Sequence, residues 1–386
     1  MVEQSRLSRF LLYMNVLFII ALAFFSYITP SIKWDVLGHL GSAYSIGSDD
    51  PKVIHERVYG DLKNLVGTVE YERLVGENKE REIWSTDPEA FFQTLPFYQP
   101  RLLTTYPTYI ADKFGINGLL FLKIISSFYS FVGCIFLLLV AREILPDLSL
   151  VVFPLVCVIS GVLEISRFPG ADASAFMLST MAIWMIINKK QFVYIVLAIM
   201  PLARSDLILF SLIISPMMWL FGFNKIKVFV TLALSFLAYW WVNQKFGNYG
   251  WSKQFYVVGV EYLAYPATTE VKLSVMDYLR AFAQGMIQLL FNYQFLIFLT
   301  AHSLLGLKIL RYIKRSLKKG QSIFSGDSVP VDFLILSTVF VAGLYVYAHF
   351  IAIPLMHTRY FVAQYAVLLL VFLSFNNLAD FSNRKP

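Results

Sequence analysis

Charge is scarce in this sequence. Only 15% of its 386 residues are Asp, Glu, Lys or Arg, and 58% are apolar. Soluble domains average about 25% charged and about 45–50% apolar. A soluble fold of this composition would leave broad apolar areas facing water, so an ordinary cytosolic enzyme is excluded, and a disordered chain with it. Cysteine is nearly absent as well. Cys134 and Cys157 both lie inside apolar runs, where a free thiol behaves as a small apolar side chain; neither a disulfide scaffold nor a zinc site is implied. A glycine-rich phosphate loop, G-x-S-x-G and H-E-x-x-H are all missing, and nothing points to nucleotide binding. There is no internal repeat and no low-complexity tract. What remains is a series of long apolar runs separated by short basic patches, the pattern of an all-α polytopic membrane protein.

A hydrocarbon core about 30 Å thick takes roughly 20 apolar residues per helix. Ten segments meet or approach that length: 11–28, 116–141, 148–164, 171–187, 192–204, 206–222, 227–243, 285–307, 331–350 and 359–377. The formal charge of 32 − 25 = +7 reflects membrane orientation, and no nucleic-acid partner is expected. With the N-terminus inside, Arg6, Arg9, Arg142, Lys189, Lys190, Lys225, Lys227, six residues from Lys308 to Lys319, Arg384 and Lys385 fall in inner connections. The first outer loop, 29–115, instead holds 9 basic and 13 acidic residues. Both termini are then cytoplasmic, as ten spans require. Segment 11–28 contains the small-x-small string Ala21-Leu22-Ala23 but stays apolar through Phe25, and reads as an uncleaved anchor. Trp34, Trp184, Trp219, Trp240 and Trp241 fall near span ends, where indole rings prefer to sit. The sidedness suits a bacterial inner membrane with the outer loops in the periplasm; an endoplasmic-reticulum membrane with a luminal site is topologically equivalent.

Three connections stand out. Loop 29–115 has helical patterns at Asp35 to Ile46 and Pro88 to Phe114, and 244–284 has one from Ser274. The third, 308–330, reads as a basic cytoplasmic loop, solvated near anionic lipid head groups, a reading that stands ahead of any lipid-specific binding role.

Charged residues at span ends are costly, at roughly 2.5–3.5 kcal/mol each near a helix centre, and so are the informative ones. On the outer side Asp35 and His39 follow the first span, and Arg101 opens the last helix of the first loop. Glu164, Arg167 and Asp172 occupy one turn and Arg204 and Asp206 another, while His357, Arg359 and Tyr360 open the last span. Four arginines thus fall in four outer turns that the positive-inside bias disfavours. Guanidinium forks match phosphate geometry, so converging forks suit a phosphate at the membrane surface; pairing with neighbours, Arg167 with Glu164 or Asp172 and Arg204 with Asp206, is the structural alternative. Asp35 and His39 share one helical face, and Asp35 reads either as a general base or as an interfacial cap beside Lys33. Asp49-Asp50 before Pro51 reads as a helix cap, and His302 and His349 as packing residues.

In this arrangement the chain resembles the integral-membrane glycosyltransferases of the GT-C superfamily, which use lipid-phosphate-linked sugars. The resemblance rests on Trp34-Asp35 with the His39…Tyr44 helix after the first span, Gln99-Pro100-Arg101…Tyr106-Pro107, and Pro169-Gly170-Ala171-Asp172. Arg204-Ser205-Asp206 and His357-Thr358-Arg359-Tyr360 complete it. It implies Asp35 as catalytic base and Arg101, Arg204, Arg359 and Arg167 as donor-phosphate ligands. His39, Tyr44, Glu164, Asp172, Asp206, His357 and Tyr360 would support them. Val36 stands where many members carry a second acidic residue, and the D-x-D of oligosaccharyltransferases is absent; no cofactor is assigned and a divalent metal is doubtful. The implied activity moves a sugar, with inversion, from a polyprenyl-phosphate donor to a glycan, lipid or protein acceptor at the extracytoplasmic face. Rival readings are a lipid-linked glycan flippase or transporter, an O-antigen ligase or polymerase acting on diphosphate-linked glycans, and a structural subunit with a degenerate site.

Overall fold

An apolar segment inside a bilayer finds no water for its amides and must pair them within itself, which a helix does. A computed structural model of the chain describes residues 2–145, 147–318, 330–354 and 357–374, and no strand occurs among the described residues.

Helix α1 (Val2–Ile28) leads into a first loop that is itself folded, as α2 (Asp35–Tyr44), α3 (Pro51–Val75), α4 (Lys79–Thr86), α5 (Pro88–Phe92) and α6 (Leu102–Lys113). The apolar helices resume with α7 (Gly118–Ile144), α8 (Phe153–Ile159), α9 (Val162–Arg167), α10 (Asp172–Ile187), α11 (Val193–Ala203), α12 (Leu207–Leu220) and α13 (Lys225–Lys245). The second long segment carries α14 (Trp251–Gly259) and α15 (Val275–Leu290), followed by α16 (Tyr293–Lys318), α17 (Val331–Ala352) and α18 (Val362–Leu373).

Five helices, in α1, α7, α13, α16 and α17, are long and apolar enough to cross a membrane, and five shorter apolar helices accompany them. The chain is an all-α membrane protein. The short helices fall in the predicted segments 148–164, 171–187, 192–204, 206–222 and 359–377. Of these, α11 and α12 have 11 and 14 residues; at 1.5 Å per residue that is about 16 and 21 Å, less than a 30 Å core.

Three expectations are corrected. The segment predicted at 285–307 is broken at Phe291–Asn292, and α16 then continues to Lys318. The first part of the basic stretch predicted as a loop is therefore helix, as the good helix propensities of Lys, Arg and Leu allow; 319–329 lie outside the described residues, as do Arg384 and Lys385. Trp34 is no interfacial anchor. It is 6% exposed and packs on Trp84, with ring centroids 5.4 Å apart.

The main core joins the apolar helices around Phe153, Phe210, Phe298 and Tyr345. Helix α10 lies along α7, where Gly133 leaves room for Phe176: a Cβ there would come within 2.5 Å of that ring. Apolar side chains of α1 and α13, such as Phe24, Phe229 and Leu237, face outward, as helices in lipid do. A second core holds the first loop together. Trp34, Leu37, Leu40, Tyr59, Trp84 and Phe91 pack with one another and onto Leu119, Leu122 and Phe168 of the apolar bundle. Asp50 caps α3 by accepting from the Lys52 amide at 2.9 Å, the cap read from Asp49-Asp50-Pro51. Ser274 and Asp277 form a capping box at the start of α15. Chain direction then sorts the connections. The α11–α12 turn, the start of α10, the end of α17 and the start of α18 lie at the end that carries the folded loop; Lys189, Lys190, Lys225 and the last turns of α16 lie at the opposite end.

Candidate functional site

Asp35 is the first residue of α2, on a helix whose remaining nine residues are buried. Gly38, one turn on, permits Tyr98 to lie flat against the helix; a Cβ at that position would meet the Tyr98 ring at 2.5 Å. The Tyr98 hydroxyl donates to one oxygen of Asp35 at 2.9 Å, and Nη2 of Arg359 donates to the other at 2.6 Å. Arg359 comes from the 3-10 turn Thr358–Phe361 that opens α18, so the two ends of the chain meet at this carboxylate.

From Asp35 an alternating series of charges crosses the bundle. Nε of Arg359 is 3.4 Å from Asp172 at the start of α10, close enough for an ion pair though not aligned as a hydrogen bond. Asp172 accepts from Nη1 of Arg204 at 3.0 Å. Arg204 grips Asp206 with two parallel bonds of 3.1 and 2.7 Å, the fork-to-carboxylate geometry. Tyr345 and His349 of α17 complete Asp206 at 2.5 and 3.4 Å. The Tyr360 ring lies under the Arg204 guanidinium, 4.0 Å from ring centroid to the guanidinium carbon.

Arg101 is held differently. Its Nη1 donates to Nε2 of His39 at 3.2 Å, and its guanidinium rests on the Tyr98 ring. His39 Nε2 also faces the Ala171 amide at 3.4 Å. Two donors at one nitrogen make Nε2 the acceptor, so the imidazole is neutral with its proton on Nδ1. Arg101 makes no ion pair among the described residues.

These groups surround a cavity of about 510 Å³, within the usual range for small-molecule sites. Its floor is formed by Asp35, Arg101, Arg204, Asp206, Arg359 and Tyr360, with His357 and His349 beside them and the Lys33–Glu164 pair (2.7 Å) at the rim. Trp34, Trp84, Arg81 and Phe97 form the wall from the first loop. Gln254, Val257, Tyr262 and Leu263 close it from the 244–284 segment. That segment is tied to the first loop: Trp84 Nε1 donates to the Ala264 carbonyl at 2.8 Å, Tyr265 to Asp87 at 2.6 Å, and the Ala267 amide to Gln93 at 3.0 Å.

Electrostatics follow from this packing. Burial alone would raise the pKa of Asp35, but the Arg359 and Arg101 guanidiniums outweigh it and hold the carboxyl well below the usual carboxylate range. Burial, and then the Arg101 charge, push His39 well below its ordinary value. Burial, with Asp35 alongside, keeps the Tyr98 phenol protonated.

Of the residues named from the sequence, Asp35, Arg101, Arg204, Arg359, Glu164, Asp206, His357 and Tyr360 line the one cavity. Asp172 and His39 stand directly behind it. Two stand elsewhere. Arg167 donates to the Thr29 carbonyl at 2.8 Å and packs on Phe25, since Glu164 is taken by Lys33 and Asp172 by the other arginines. Tyr44 faces away from the floor, donating to Asp61 at 2.6 Å under the Arg57 guanidinium. Sequence reasoning passed over Tyr98, Trp84, Arg81, Tyr262 and Tyr345, and took His349 for a packing residue. The one signal for Tyr98 was its place three residues before Arg101. Among the described residues no group of three or more His, Cys, Asp or Glu is placed to hold a metal ion; Asp35, Asp172 and Asp206 are each engaged by arginine. The arrangement can bind an anion through guanidiniums and can present a carboxylate to a neighbouring hydroxyl. The chain matches no family model, no curated protein and no solved structure.

Proposed function

We propose that the chain is an integral-membrane glycosyltransferase, related in architecture to the GT-C superfamily, that transfers a sugar from a polyprenyl-phosphate donor. The observation that carries this reading is the meeting of Asp35 with Arg101, Arg204 and Arg359, from four distant segments, in one cavity at the end of an apolar bundle. In this reading all ten apolar segments are membrane-embedded and the termini lie on the side opposite the cavity. The short α11 and α12 set the cavity floor below the bilayer surface, at the depth of a lipid phosphate whose tail lies between helices. The membrane is a bacterial inner membrane and the cavity faces the periplasm.

The chemistry uses the charges in sequence. The donor phosphate binds first to Arg101, which makes no ion pair among the described residues, and shares the Arg359 and Arg204 guanidiniums with Asp35, Asp172 and Asp206. Drawing Arg359 toward the phosphate weakens the contact that depresses the pKa of Asp35, so donor binding itself makes that carboxylate basic. Asp35 then takes the proton of an acceptor hydroxyl. The acceptor oxygen attacks the anomeric carbon, the bond to the phosphate oxygen breaks, and its electron pair stays on the leaving phosphate. The arginines stabilise that growing charge without reorganising. The acceptor, a glycan, lipid or protein hydroxyl, enters past the Trp84–Tyr262 wall.

The test is sugar release or transfer by the purified protein from synthetic polyprenyl-phosphate sugars, with polyprenyl-diphosphate sugars as the comparison that the ligase or polymerase reading favours. Asp35→Asn is expected to abolish turnover while expression, membrane insertion and donor binding persist. Full activity in that variant sinks the assignment.

A further inference from the structure

The far end of α16 carries an unassigned surface that depends on membrane insertion alone and not on the transferase reading. Helix α16 has 26 residues, about 39 Å at 1.5 Å per residue, while the hydrocarbon core takes about 20 of them. Counted from Tyr293, the apolar layer ends near Tyr312, and the last turns reach head-group level. One outward stripe runs the whole way. Residues 304, 307, 311, 314 and 318 recur at three- and four-residue steps, 315 lies four residues on from 311, and all six are exposed. Along that stripe Leu304 and Leu307 give way to Arg311, Lys314, Arg315 and Lys318 where the hydrocarbon runs out. Leu310 and Leu317, 63% and 66% exposed, flank the basic residues on the adjoining face.

Two simpler accounts fit less well. A merely solvated helix end has no reason to keep two exposed leucines among its charges. A general inner-face bias has no reason to concentrate four cations on the one face that continues the lipid-contacting leucines. Long basic side chains lay their stems along apolar surface and lift their charge to the phosphate plane, and each is worth about 1 kcal/mol at an anionic surface. We propose that this stripe is a binding site for anionic phospholipid: acyl chains lie on Leu304 and Leu307, and the head-group phosphate is held by Arg311, Lys314 and Arg315, with Lys318 a turn above.

The test uses the purified full chain in neutral detergent with equal dioleoyl phosphatidylglycerol and phosphatidylcholine, with bound lipid read by native mass spectrometry. The wild type is expected to retain phosphatidylglycerol at least 10-fold over phosphatidylcholine. Arg311→Gln and Lys314→Gln alone should each lower that preference about 5-fold. The quadruple variant R311Q/K314Q/R315Q/K318Q should lose it. A control that removes four charges elsewhere at the same end, R142Q/K189Q/K190Q/K225Q, should keep it. Equal retention of both lipids by the wild type overturns the site. So does a preference that the single variants leave unchanged, or one the control loses as fully as the quadruple variant.

Discussion

Arg101 and Arg204 face the same cavity, yet they are built to fail in different ways. Arg204 is 5% exposed and bonds two carboxylates, Asp172 and Asp206. Replacing it by Met takes the bonded guanidinium from the buried Asp172 and the half-buried Asp206, leaving Asp172 only the unaligned Arg359 and Asp206 only Tyr345 and His349, a loss of about 3 kcal/mol. Arg101 leans on a neutral imidazole and a phenol ring, acts on Asp35 only at a distance, and forms no ion pair among the described residues. Its loss to Gln is expected to cost less than about 1 kcal/mol of stability but to weaken donor binding by roughly 10- to 100-fold, the worth of a charge-assisted contact. Thermal melting in detergent and donor titration together check the contrast; equal effects of the two substitutions on both readouts refute it. His39 adds a pH dependence of definite sign. Its folded pKa is lowered, so below about 6.5 the unfolded chain takes up a proton that the folded chain refuses. Stability is then complete above that value and falls with acid, by up to about 1.4 kcal/mol per pH unit. Asp35 does not contribute between pH 5.5 and 7.5, since its folded pKa is depressed and its stabilisation is lost only in stronger acid. His39→Asn should therefore shrink the fall in melting temperature between pH 7.5 and 5.5. Part of the fall should remain, because burial also lowers His55. An undiminished fall in the variant contradicts the neutral His39–Arg101 contact.

At the scale of elements, what could be read in advance followed the cost of each residue. Asp35, Arg101, Arg204, Asp206 and Arg359 stood out because a charge beside an apolar run is expensive and must have a reason to be there. Tyr98, Trp84 and Tyr262 did not, because aromatic residues make up 17% of this chain and no local pattern separates a wall of the cavity from the core. The apolar helices were legible from hydropathy; their ends were not. Helix α3, 25 residues with a glycine kink at Gly67 (φ 74°), has almost no continuous apolar stretch. Helix α16 runs on through its basic turns because Lys and Arg extend a helix as readily as Leu does. Arg167 shows the limit of reading turns singly. Its sequence neighbours Glu164 and Asp172 were its expected partners, but Lys33 and Arg204, distant in sequence, reach them in the fold.

For the whole molecule, the decisive matter is which end of the bundle faces which side of the membrane. The basic turns at Lys189, Lys190, Lys225 and the end of α16 gather at one end of the bundle, and the cavity, with its own arginines, lies at the other. If the positive-inside bias governs this chain, Lys190 after α10 faces the cytoplasm and Thr268, on the segment that roofs the cavity, faces outward; both are exposed. Cys134 and Cys157 are buried and so give little background to a thiol reagent. In intact cells a membrane-impermeant maleimide should therefore label Thr268→Cys, while Lys190→Cys should react only after permeabilisation. The opposite pattern would put the Asp35 cavity on the cytoplasmic side and remove an acceptor on the outer face from consideration. Labelling of both without permeabilisation would mean that the short helices do not carry the chain across, so that the apolar bundle is fewer membrane crossings than its ten segments suggest. The expected pattern also carries a consequence for the donor. It puts the arginine floor at the outer ends of α11 and α12, the side from which the proposed lipid-phosphate donor has to approach.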